Sequence, residues 1–83
     1  MHGHRKSAVL RNGFDPYGDS EYNFFKERSD GRGFRVNIMG GFMLFDTTNL
    51  AVPLVELPDY LATTQNIERV LEEYRLKKEV KND

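Results

Sequence analysis

An α+β fold, in which a small antiparallel β-meander of three to four strands packs against a C-terminal amphipathic helix, is predicted for this 83-residue chain by three observations. Two turn signals, Asp30-Gly31 and Gly40-Gly41, divide residues 21–48 into pieces of strand length. Ile67, Val70, Leu71 and Tyr74 fall at i, i+3, i+4 and i+7, the spacing of one helix face. The length leaves no room for a second core, and six Phe, four Tyr and three Met supply the bulk for a single domain over residues 1–83.

Taken in order, residues 1–6 read as a frayed N-terminus, and Ser7–Arg11 as a short edge strand at most, because they form the only apolar run before Phe14. Residues 12–20 combine Asn, Gly, Asp and Pro densely enough for a loop, pinned to the body by Phe14 and Tyr17. Strands are expected at Glu21–Ser29, Gly33–Met39 and Phe42–Thr47. A two-residue Gly40-Gly41 turn pairs Val36 with Phe45, Asn37 with Leu44 and Arg35 with Asp46. Alternation then buries Phe34, Val36, Ile38, Met43 and Phe45, and leaves Arg35, Met39, Phe42, Leu44 and Asp46 on the outer face. In the first strand, a two-residue turn sets Phe25 over Val36, whereas a three-residue turn over 29–31 turns Phe24 and Tyr22 inward. The second is favoured because it buries two aromatics rather than one; a helix over Glu21–Arg28 is the minority alternative.

Pro53 and Pro58 interrupt residues 49–62, so Leu50, Val52, Leu54, Val55 and Leu57 are read as an extended segment, with an edge strand as the position where proline is tolerated. The final helix, residues 65–80, has Thr63 or Thr64 to cap it. Glu68, Glu72 and Glu73 stand in its first turns and Lys77, Lys78 and Lys81 in its last, the order that complements the helix dipole. Leu76 and Val80 fall away from the Ile67 stripe, which makes them candidates for a partner surface; the alternative is a helix that ends near Arg75, letting both fold back, with the 50–57 segment over the outer sheet face.

The chemistry-bearing residue types are sparse. There is no Cys, and the two histidines, His2 and His4, have no third ligand, so neither metal nor cofactor is expected. A hydroxyl nucleophile has no activating histidine outside that terminus, and Asp15/Asp19 and Glu72/Glu73 read as solvated surface charge. Gly31-Arg32-Gly33-Phe34 lacks the spacing and the Lys-Ser/Thr ending of a phosphate loop. Twelve Lys+Arg against thirteen Asp+Glu give no whole-molecule drive toward nucleic acid or anionic membrane, and no apolar run reaches spanning length.

These features predict a non-enzymatic, cytoplasmic protein-interaction module, acting stoichiometrically as an inhibitor, adaptor or assembly factor of the kind common in viruses and mobile elements. Its expected surface for a protein partner or for self-association comprises Arg35, Met39, Phe42, Leu44, Asp46, Leu76 and Val80. The first alternative is a nucleic-acid binder using Arg5, Lys6, Arg11, Lys26, Arg28, Arg32 and Arg35, with Tyr17, Tyr22, Phe24 and Phe25 as stacking aromatics, at least two of which a small core claims. The second is a small enzyme whose polar groups converge only in three dimensions.

Overall fold

A computed structural model describes residues 2–28 and 32–81, with side chains over 4–28 and 32–74. In chain order the elements are α1 (His2–Arg11), β1 (Asp15–Pro16), β2 (Asn23–Glu27), β3 (Gly33–Asn37), β4 (Gly41–Asp46), β5 (Val55–Pro58), a 3₁₀ turn (Asp59–Leu61) and α2 (Thr64–Lys81). The five strands form one antiparallel sheet in sequence order, a meander with β1 and β5 at its edges. Both helices lie on one face of it, since Ala8 and Val9 of α1 and Ile67 and Leu71 of α2 share a core with Phe24, Phe34, Val36, Ile38, Phe42 and Leu44.

The C-terminal helix forms as its spacing predicts. Ile67 and Leu71 are buried, Val70 and Tyr74 pack at the core margin, and the Thr63 hydroxyl accepts the Asn66 N–H as the N-cap. Tyr74 meets the ring of Phe34 edge-on, with centroids 6.2 Å apart.

At the N-terminus the structure corrects the reading: residues 2–11 are neither a frayed end nor a strand but a helix. Ala8 and Val9 are fully buried. Arg5 ties this helix to the 3₁₀ turn, its Nε donating to the Ala62 carbonyl at 2.9 Å and its Nη2 to the Asp59 carbonyl and carboxylate. Arg11 pairs with Glu68 of α2. The helix stops where Gly13 takes φ +89°, and the Asn12 side-chain amide donates back to the Ala8 carbonyl.

β2 pairs with β3 in the register that sets Phe24 against Val36, so Phe24 is buried and Tyr22 packs on the core. The reading that turns both aromatics inward is the observed one, although its Asp30-Gly31 turn falls outside the described residues. Residues 23–27 are strand rather than helix.

The β3–β4 register differs by one residue from the Gly-Gly expectation. Val36 opposes Leu44, Asn37 opposes Met43 and Arg35 opposes Phe45. The chain reverses over residues 38–42, with Gly40 at φ +71° in the centre and the Asn37 carboxamide oxygen accepting the Met39 N–H. That side-chain bond starts the turn earlier than the glycine pair alone dictates. Gly41 is required for close packing rather than for the turn. A Cβ there would sit 2.5 Å from the Leu57 carbonyl oxygen, so glycine is what lets β5 approach β4. A one-residue shift exchanges the faces of a strand. Phe42 and Leu44 are therefore buried, whereas Met43 and Phe45, expected inside, are half-buried on the opposite face.

The segment after β4 is extended only over Val55–Pro58, an edge strand ended by its proline. Val55 and Leu57 pack on the core, while Leu50, Val52 and Leu54 are exposed.

Candidate functional site

Strand alternation with this register gives the sheet two unlike faces. The face covered by helices receives Phe24, Phe34, Val36, Phe42 and Leu44. The open face receives Asn23 and Phe25 from β2, Arg35 and Asn37 from β3, and Met43 and Phe45 from β4. Asn23, Arg35, Asn37, Met43 and Phe45 line a shallow groove of about 220 Å³, closed on one side by Leu50. Tyr17, from the loop after β1, lies beside the groove against Phe25 and Arg35. Its ring lies 6.1 Å from that of Phe25, and the Arg35 guanidinium sits 4.6 Å above it. At the far end the Asn37 amide donates to the Asn23 carboxamide oxygen at 2.6 Å, bridging β2 and β3 and fixing both amides in place.

Of the residues expected to meet a protein partner, Arg35 lies in this groove and Met39 is exposed at the nearby turn. Phe42 and Leu44 do not belong to the surface: both are core residues, and the shifted register is the reason. Asp46 stands opposite Phe34, not Arg35, and it bonds Arg28 at 2.9 Å on the helix side of the sheet. The side chains of Leu76 and Val80 lie outside the described residues. Sequence reasoning misses Met43 and Phe45, which become open-face residues only once the register is fixed, whereas Leu50 lies against that face as the reading with 50–57 over the outer sheet face has it.

The basic residues expected to contact nucleic acid do not converge. Arg5 and Arg11 bind the 3₁₀ turn and α2, Lys26 donates to the Asn12 carbonyl, and Arg28 joins Asp46 beneath the Phe34 ring. Lys6 and Arg32 are exposed on α1 and just before β3, and Arg35 alone occupies the open face. Of the four aromatics, Tyr22 and Phe24 serve the core and Tyr17 and Phe25 the open face. No group of three metal-ligating side chains occurs among the described residues, and no helix there is long and apolar enough to cross a membrane.

Among the described residues, Asp46 has a carboxyl whose pKa its surroundings displace. Burial raises its pKa, but hydrogen bonds from the Thr48 N–H and hydroxyl, with the Arg28 guanidinium, outweigh that and hold the carboxyl below its ordinary value of 3.8. A carboxylate depressed in the folded state stabilises the protein above its unfolded pKa, and that contribution is lost as pH falls through the folded value. Asp46→Asn is therefore expected to cost about 1–3 kcal/mol at neutral pH, by removing the carboxylate from a largely buried ion pair with Arg28. Its difference from the wild type should shrink on acidification below the ordinary carboxylate range. Urea melts across that range check this; a difference that stays constant to strong acid contradicts it.

Set against known proteins, the chain matches no family model, and neither a curated protein nor a solved structure matches it significantly. The class it defines is that of a small two-layer α+β protein with a five-stranded antiparallel meander, two helices on one face and an open second face.

Proposed function

We propose that this protein is a non-enzymatic interaction module that acts stoichiometrically in the cytoplasm, as an inhibitor, adaptor or assembly factor, and that it binds its protein partner on the open sheet face. One observation carries the reading: the groove around Arg35 gathers Met43, Phe45 and Leu50 beside Tyr17 and Phe25, on the side of the sheet that neither helix covers. Leu50 and Tyr17 are 46% and 45% exposed, so the apolar surface is open to a partner. Apolar centres with polar margins are typical of interfaces, and aromatic residues and Arg are the types enriched there.

Capture from the native host, read by mass spectrometry with wild-type protein and Met43→Ser/Phe45→Ser in parallel, tests the proposal. Partners held by the wild type should be lost by the double variant, with the melting temperature lowered by only a few degrees. Equal recovery by a folded double variant overturns it.

A second reading rests on the Tyr17, Phe25 and Arg35 stack, which has the elements of a platform for single-stranded nucleic acid. Binding of that kind would weaken steeply with salt and be lost on Tyr17→Ala.

A further inference from the structure

The same alternation that brings apolar residues to the open face also sorts the charges. Asp15 of β1 stands opposite Phe25, Glu27 follows Phe25 by two residues along β2, and Glu56 of β5 stands opposite Met43. All three carboxylates therefore share the open face, and all three are exposed. None has a hydrogen-bond or ion-pair partner among the described residues. The neighbouring bases fall at the intervening positions: Lys26 and Arg28 turn to the helix side, where each is bonded. Arg35, in the middle, is the single cation of the face among the described residues, and its guanidinium lies over Tyr17.

Asp15 and Glu56 belong to the two edge strands of the sheet, about 19 Å apart across four strand spacings. Between them lie Phe25, Met43 and Phe45. The result is an apolar, aromatic centre flanked by free carboxylates at both edges. A phosphate backbone laid across it would meet three negative charges and one positive. A second copy of this face would set like charges against like.

Resting on the interaction reading above, we propose that the occupant of the open face is a basic amphipathic segment of a partner protein, with apolar side chains in the groove and Lys or Arg at its ends, opposite Asp15, Glu27 and Glu56. Free surface carboxylates of this kind act mainly on encounter and register, within a Debye length of about 8 Å at physiological salt.

The probes are a short capped peptide alternating Lys and Leu, its Glu and Leu counterpart, and single-stranded oligothymidylate, each titrated into the full chain and followed by backbone amide shifts. The Lys peptide should bind, shift Phe25, Arg35, Met43 and Phe45, and release as salt is raised. Asp15→Asn/Glu27→Gln/Glu56→Gln should weaken it by about tenfold, the combined effect of three exposed ion pairs. Equal binding of the Glu peptide, preferential binding of oligothymidylate, dimerisation through this face, or unchanged affinity in the neutralised variant overturns the proposal. Met43→Ser/Phe45→Ser separates the two levels. If it abolishes peptide binding while the neutralised variant binds normally, the interaction face stands and the basic partner falls. If neither variant alters binding, both fall.

Discussion

Phe42→Ala should remove a large share of the protein's stability, about 3–5 kcal/mol, while Phe45→Ala, three residues along the same strand, should cost well under half of that. The two side chains have the same size and opposite surroundings. Phe42 is 1% exposed within the core shared by Ile38 and Leu44, whereas Phe45 is half-buried at the margin of the open groove. Deleting the first ring leaves a cavity closed by sheet and helices; deleting the second leaves a recess that water fills. A domain of this length is held by roughly 4–12 kcal/mol, so the Phe42 variant should be partly unfolded in mild denaturant. Paired urea melts decide it. The reverse order, with Phe45→Ala the worse, would restore the two-residue Gly-Gly turn and with it the opposite assignment of faces.

Gly41→Val is expected to be nearly as damaging, and by a different route. Even a methyl group at Gly41 would lie 2.5 Å from the Leu57 carbonyl oxygen, which belongs to backbone and cannot swing aside. The β4–β5 ladder must open to admit it, loosening Val55 and Leu57 from the core. Strain of this kind costs about 1–3 kcal/mol or more, a fall in melting temperature of roughly 5–20 °C for a chain of this size. Hydrogen exchange should show the damage first at the β5 amides. Gly40→Ala is the control: no atom lies within 4 Å of a Cβ there, so only its positive φ is strained, and about 1 kcal/mol is expected. If Gly41→Val and Gly40→Ala melt alike, close approach of β5 is not what holds glycine at position 41.

Both expectations trace to features only partly legible in the residues. The N-terminal helix leaves a signal that periodicity passes over: Arg11 in the last turn, followed by Asn12-Gly13, is a helix stop. The signal is masked because Ala8, Val9 and Leu10 are consecutive and form no helical stripe. The aromatic content of the candidate site is likewise visible, with Tyr17 and Phe25 apart from Phe24 and Tyr22, but not its location. Asp15, Glu27 and Glu56 look like ordinary scattered charges along the chain, and only the paired register sets them on one face.

By itself, the sequence determined what depends on short-range order. The i, i+3, i+4, i+7 spacing set the buried stripe of α2, the Thr63-Thr64 pair narrowed its start to two positions, of which Thr63 is the cap, and alternation along residues 34–38 set which side of β3 faces inward. Only the tertiary structure decided the side of β4 and the existence of α1. A turn shifted by one residue differs little in local energy yet exchanges Phe42 and Leu44 for Met43 and Phe45. The choice between them rests on which pair fills the space beneath the two helices. α1, likewise, has too little apolar patterning to hold alone, and it persists because Ala8 and Val9 lose all contact with water inside the shared core, while Arg5 anchors to the 3₁₀ turn. Burial between elements distant in sequence is the physical term that local pattern does not contain.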